Sequence, residues 1–582
     1  MKNLNTLKKY FIRYKNKIIL GFIFIILSNI GTVYVPMLMK DSIDALQHNA
    51  TTSILLKYGL MIVGASLFAG IFRFMIRQTI IVVSRKIEFD LRGDFWKHIQ
   101  LLPMRYFQNT STGNIMAHAT NDINAVRMFI GPAVMYSIDT SVRLMMVIVL
   151  MLSLNTSLTI YALLPLPLLS VLVYKVGKLI HSKFTVIQEK FAQLTTLAQE
   201  NFSGIRVIKS YVREESEMKR YAEHSQDYLK KNMNLIRTQA LIMPILFLIT
   251  GLSIIIVIWL GGTKVINGEL TLGEITAFIV YLGILIWPMI AFGWVINIIQ
   301  QAEASMKRLN KIFDEPYEIT ETERTNHSIK EIKGDIEFRN VSFRYNEHSP
   351  NILKNINLKI RAGSTLAIMG YTGSGKTSFI NLIPRLYECT EGEVLVDGIN
   401  VKELPLDVLR TTIGVVQQES FLFSDTVMNN ISYGRREVDR SLVNKVTGIA
   451  QFDKDVHEFP LKYETIVGER GITFSGGQKQ RACLARALAI DPKILILDDS
   501  FSAVDTSTEE EILKNLKNFM RERTSIIISH RISTVKDVDN IIVLSEGKIA
   551  EEGTHEELVV KGGIYADLHY KQLLEQELEE IK

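Results

Sequence analysis

Long apolar runs constrain this chain more than any other feature, and nearly all of them lie in its first 300 or so residues. Six are long enough to cross ~30 Å of hydrocarbon: residues 18–39, 55–82, 132–154, 157–178, 239–262 and 273–299. The first follows Lys8, Lys9, Arg13, Lys15 and Lys17, but it is too long for a signal peptide and lacks a small-residue cleavage site. Six spans put both ends of the region on one side. The segments near 40–53, 153–157 and 263–272 carry only Lys40 and Lys264. Those near 84–131 and 179–238 are basic, with Arg85, Lys86, Arg92 and Lys97 in the first and Lys183, Lys209, Arg213, Lys219, Arg220, Lys230 and Lys231 in the second. The positive-inside rule therefore predicts that these long segments and both termini are cytoplasmic. Poor in Gly and Pro, the segments read as helices continuing beyond the bilayer.

Polar residues inside spans carry a functional hypothesis by default. Snorkelling accounts for Arg73 and Arg77, near the cytoplasmic end of the second span. Asp139 and Arg143, four apart on one helix face, are placed to pair; an internal ion pair and a substrate or gating role both stand. Trp287 and Trp294, seven apart with Pro288 and Phe292 nearby, form an aromatic face that either lines a cavity or packs on neighbouring helices.

Beyond a polar linker at 311–334 the chain reads as a soluble α/β domain, 335–575, entered by Ile336-Glu337-Phe338 and Val341–Tyr345 in strand-like alternation. A net charge of only +5 gives no nucleic-acid footprint. The two cysteines, Cys389 and Cys483, exclude a disulfide framework and a zinc site and read as thiols in a reducing cytoplasm. After the apolar strand Leu366–Met369 comes Gly370-Tyr371-Thr372-Gly373-Ser374-Gly375-Lys376-Thr377-Ser378. A glycine loop between strand and helix presents backbone N–H groups to phosphates, with Lys376 in reach of the outer phosphates and the Thr377 hydroxyl suited to Mg²⁺. A second apolar run, Ile494–Leu497, ends in Asp498 and Asp499. It reads as a buried parallel strand delivering carboxylates to the end where open α/β sheets bind ligands. Between them stands Phe474-Ser475-Gly476-Gly477-Gln478.

The loop, the Ser-Gly-Gly-Gln segment and Asp498, in this order and spacing, resemble the ATPase domain of an ATP-binding cassette (ABC) transporter, and the resemblance covers almost the whole chain. It implies a membrane all-α domain of six helices (1–310) with long cytoplasmic extensions, fused to an α/β P-loop cassette, using ATP and Mg²⁺. By the same resemblance Tyr345 stacks on adenine, Gln418 contacts Mg²⁺ and the attacking water, Asp498 holds Mg²⁺ and His530 touches the γ-phosphate. Ser475, Gly476, Gly477 and Gln478 bind the nucleotide held by a second subunit, which makes a dimer necessary, and Ser502–Asp505 forms its seam. Thr120–Asn124 and Gly204–Tyr211 resemble coupling segments of ABC exporters, and Val467–Gly471 resembles the exporter motif that touches them. Importers, whose cassette is usually a separate chain, fit less well.

One position departs from the family. Its competent sites carry Glu after the Walker B Asp, whereas this chain has Asp499, followed by Ser500-Phe501 in place of the usual Ala-Thr. A carboxylate shorter by one methylene is withdrawn by roughly 1.5 Å, and misplacement by about 1 Å can cost ~10²-fold in rate. The pattern resembles the degenerate-site subunit of heterodimeric bacterial multidrug exporters, with a partner supplying the Glu. A homodimer with two slow sites, an ATP-gated channel and a lipid or peptide translocator are the rivals. The implied cargo is an amphiphile taken from the cytoplasm or the inner leaflet of a bacterial inner membrane.

Overall fold

A computed structural model of the chain describes residues 2–47, 51–468, 471 and 473–580. It forms two compact units: Met1–Gln100 with Thr112–Glu315, and Leu101–Ser111 with Pro316–Lys582.

The first unit is all helix. Among the described residues five helical stretches are long and apolar enough to cross a membrane: Lys15–Gln47, Thr52–Gln100, Thr112–Leu154, Glu214–Ile266 and Leu272–Phe313. The run at 157–178 is helical too, but it is divided between Thr156–Leu163 and Pro165–Ser203, because Pro165 has no N–H to continue the ladder of the shorter helix. The last helix extends to Phe313, so the expected linker at 311–334 begins inside it and the units divide at Glu315.

On the Thr52–Ile76 helix, Leu56, Leu60, Leu67, Ile71 and Phe74 stand exposed in a surface a water-soluble bundle would cover. Helices can face lipid this way because each satisfies its own backbone polar groups. Inside the bundle Val33, Val147, Met151, Leu158, Phe278, Tyr281 and Leu285 form a buried core, and the Tyr281 hydroxyl donates to the Val33 carbonyl at 3.0 Å. Asp139 and Arg143 do pair, at 2.9 Å, and Asn29 braces both: its amide donates to Asp139 at 2.8 Å and its carbonyl oxygen accepts from Arg143 Nε at 2.9 Å. The two tryptophans part ways. Trp294 packs edge-on against Tyr136, and Trp287 borders a cavity.

Thr120–Asn124 lies within this unit, where a π-helical turn His118–Asp122 runs into the helix Ile123–Met128. Asp122 is buried and accepts from His118 Nδ1 at 2.6 Å and Arg308 Nε at 3.0 Å. The stretch that clusters with the second unit lies upstream, at Leu101–Ser111, where Arg105 pairs with Glu318. Gly204–Tyr211 forms a short helix, Ile205–Ser210, with Val207 and Tyr211 exposed.

The second unit holds two sheets. Four strands in the order β2-β1-β4-β5 are antiparallel: β1 Ile336–Phe343, β2 Leu353–Ile360, β4 Glu391–Val396 and β5 Ile399–Asn400. The larger sheet runs β10-β9-β3-β8-β7-β6, with β3 Thr365–Met369, β6 Ile413–Val416, β7 Ile494–Asp498, β8 Thr524–Ile528, β9 Asn540–Ser545 and β10 Lys548–Gly553. All its pairings are parallel except β10 on β9. Side chains alternate between two buried cores: Ala367, Met369, Leu495, Leu497 and Ile527 enter one, Leu366, Ile368, Ile494, Ile496 and Ile526 the other. A sheet covered on both faces explains why these strands read as continuous apolar runs.

Candidate nucleotide-binding site

Because β3, β8, β7 and β6 are parallel neighbours, their C-terminal ends lie side by side. The glycine loop follows β3, His530 follows β8, Asp498 and Asp499 end β7, and Gln418 sits exposed in the loop after β6. The sheet therefore gathers residues separated by more than a hundred positions.

The glycines of the loop are there for space. Gly370 has φ +140° and a Cβ on it would stand 2.2 Å from the Leu544 carbonyl oxygen; Gly375, at φ +104°, caps the helix Lys376–Leu382. Lys376 is buried, and its ammonium donates to the carbonyls of Gly370 at 2.8 Å and Tyr371 at 3.0 Å. Burial pushes its pKa down, against the pull of Asp498 and Asp499. Thr377 Oγ1 donates to Asp498 Oδ2 at 3.0 Å. Burial raises the Asp498 pKa, and the charge of Asp499 adds to the rise. Among the described residues the buried Ser374 hydroxyl is without a hydrogen-bond partner. An ammonium turned back on its own loop, an unpaired buried hydroxyl and a hydroxyl–carboxylate pair suit an incoming phosphate with a hard cation, so these residues fit Mg²⁺ and nucleotide.

Tyr345 lies just past β1, which ends at Phe343. Its hydroxyl is 2.8 Å from Ser378 Oγ, and its ring packs on Phe343 and Tyr387. Asp499 is in the left-handed region, at φ +48°, a conformation Asp tolerates better than most residues. Its N–H donates to the Ile528 carbonyl at 3.0 Å. With His530, Ser502, Glu509 and Arg531 it lines a cavity of about 170 Å³.

Ser475 caps the helix Gly476–Ala489 in a reciprocal box with Gln478, whose amide also donates to Asp455 at 2.9 Å. Phe474 stacks on Phe459 at 5.0 Å. Gly476 and Gly477 lie so close to Ala503 that a Cβ on either would come within 3.1 Å of it. In the motif Val467–Gly471, Glu469 and Arg470 lie outside the described residues.

Three supporting residues escape a reading of the sequence. Gln480, buried, donates to Ser502 Oγ at 2.9 Å and accepts from the Ala503 N–H at 3.0 Å, tying the Ser-Gly-Gly-Gln helix to the following seam loop. Glu509, buried, pairs with Arg531 and accepts from Thr534 at 2.7 Å. Gln572 spans the loop after β8: its amide donates to the His530 carbonyl and its oxygen accepts from the Ile532 N–H.

The family model of the ABC transporter transmembrane region matches residues 18–289, and the ABC transporter model matches 353–502. A Bacillus subtilis (strain 168) protein named "Probable multidrug resistance ABC transporter ATP-binding/permease protein YheI" is 36% identical, over 97% of this chain and 96% of its own length. The chain belongs to the ABC transporter family. The ATP-dependent lipid A-core flippase of Syntrophus aciditrophicus (strain SB) is 35% identical over 84% of this chain and 80% of its own. The solved structure of a bacterial Atm1-family ABC exporter with ATP bound superposes with a TM-score of 0.79 at 26% identity, covering 96% of this chain and 98% of that one. The chain is thus a membrane-spanning ABC exporter with fused transmembrane and ATPase domains, and its cassette makes it an ATP-hydrolysing transporter.

Proposed function

We propose that this ABC transporter is one half of a heterodimer that exports amphiphilic small molecules, drug-like or lipid-like, across the cytoplasmic membrane, with both termini and the cassette in the cytoplasm. The observation that carries the asymmetry is Asp499, a short carboxylate where the family's competent sites place Glu, beside a complete Ser475–Gln478 segment. In this reading Gly370–Ser378 and Lys376 hold the phosphates, Tyr345 the adenine, and Thr377, Asp498 and Gln418 the Mg²⁺. His530 faces the γ-phosphate. When bound, Mg²⁺ neutralises charge on the phosphates. The chain's own work is positional, since phosphoryl transfer needs alignment and charge stabilisation more than covalent chemistry. Asp499, withdrawn from the attacking water, leaves this site slow. Ser475, Gly476 and Gly477 complete the partner's faster site. The bracing of Gly476 and Gly477 against Ala503 supports this, because it ties the segment that faces the partner's nucleotide to the loop at the dimer seam. The exposed Val207 and Tyr211 support a partner cassette docking at the Ile205–Ser210 helix.

The test is Asp499→Glu in the complex purified from its native membrane. A restored carboxylate is expected to raise ATP turnover at this site by 10- to 100-fold and to shift vanadate trapping from one site to two. An unchanged rate with single-site trapping would reject the short carboxylate as the cause.

A further inference from the structure

A cavity of about 250 Å³ opens within the transmembrane unit, lined by Arg73, Arg77, Asp139, Arg143, Tyr136 and Trp287 among others. Three guanidinium groups face one carboxylate. That carboxylate is already engaged, by Arg143 at 2.9 Å and by Asn29 at 2.8 Å. Among the described residues the side chains of Arg73 and Arg77 make no hydrogen bond or ion pair. They stand one turn apart on one face, and Arg77 opens a π-helical turn, Arg77–Ile81, in an otherwise α-helical run. Such turns are rare and concentrate at functional sites. Snorkelling would carry these side chains out to the interface, whereas here they border the same cavity as the Asp139–Arg143 pair. Unpaired charge within an apolar span is costly and marks a substrate path.

We infer that this cavity receives the anionic head, phosphate or carboxylate, of the exported amphiphile, with Arg73 and Arg77 as its binding residues. Guanidinium forks match oxyanions in two-point hydrogen bonds. A volume of about 250 Å³ is below that of a drug-sized pocket, so it holds a head group and leaves the tail outside. The exposed apolar side chains Ile71, Phe74 and Met75, on the same helix, offer that tail a surface. Trp287 supplies a flat wall and a spectroscopic reporter. This inference rests on the exporter reading above and names its substrate class.

The full chain in nanodiscs of zwitterionic lipid would be titrated with dodecyl phosphate, dodecyl trimethylammonium and inorganic phosphate, with Trp287 fluorescence as the readout and Trp287→Phe as the blank. Dodecyl phosphate is expected to bind at least tenfold tighter than either of the others. The double variant Arg73→Gln/Arg77→Gln is expected to lose that preference, and Arg73→Lys/Arg77→Lys, which keeps the charge, to retain most of it. Equal binding of the cationic amphiphile, equal loss in the Gln and Lys variants, or inorganic phosphate binding as tightly as the amphiphile would each overturn the assignment. Transport in the same lipid separates this inference from its premise. ATP-driven movement without anion preference defeats only the head-group assignment, and no ATP-driven movement of any tail-matched amphiphile defeats the exporter reading itself.

Discussion

Asp498, proposed above to hold Mg²⁺, shows how a site residue works against the fold around it. Burial and the neighbouring Asp499 raise its pKa from the ordinary 3.8, so the folded protein binds that proton more tightly than the unfolded chain. Stability then falls as pH rises from about 3.8 through the raised value, and at neutral pH the charged carboxylate is a net cost. Asp498→Asn should therefore raise the nucleotide-free unfolding temperature of the cassette at pH 7, while abolishing Mg²⁺-dependent hydrolysis. The same scan at pH 4 should show a smaller gap; a gap that widens there would refute the sign. Glu509 is the opposite case. In the sequence it stands in an acidic run, Glu509-Glu510-Glu511, and nothing in its spacing separates it from its neighbours. The fold buries it against Arg531 and Thr534. Arg531 keeps access to water, so the cost of Glu509→Ala is mainly the stranded hydroxyl of buried Thr534, about 1–2 kcal/mol, read by denaturant unfolding. Glu509→Gln, which keeps an acceptor for Thr534, should cost clearly less.

At the scale of elements, the parallel strands were legible because both faces are covered and the apolar runs are uninterrupted. Leu366–Met369 and Ile494–Leu497 fall inside β3 and β7. The bounds of β1 were harder, since Tyr345 continues the alternation but leaves the ladder to pack on Phe343 and Tyr387. Composition alone makes the run at 157–178 a single span, whereas Pro165 divides it. Tertiary ties such as the one from Gln480 to Ser502 and Ala503 leave no mark in a single sequence, because they join loops through one side chain. Gln480→Leu fills the same space but leaves the Ala503 N–H and the Ser502 hydroxyl unmatched. It should lower ATP turnover of the assembled transporter about tenfold with little change in nucleotide affinity, measured by parallel hydrolysis and ATP-binding titrations. A proportional loss of both would place Gln480 in binding rather than in the seam.

Over the whole molecule, the apolar runs and the spacing of the phosphate loop, the Ser-Gly-Gly-Gln segment and Asp498 announced a fused membrane ATPase, and the relatives bear that out. What no pattern of hydropathy could place was the grouping of Arg73 and Arg77 with Asp139 around one cavity, because that depends on how separate helices face each other. In the proposed assembly this chain gives a slow site and completes a fast one. ATP hydrolysis by the chain purified alone, beside the complex it forms in its native membrane, tests that most directly. The asymmetric assembly requires near-zero turnover alone and at least a 100-fold gain in a complex whose second subunit carries Glu at the position equivalent to Asp499. Substantial turnover by the chain alone, abolished by Lys376→Ala, would contradict it and make this exporter a homodimer in which Asp499 is fully competent.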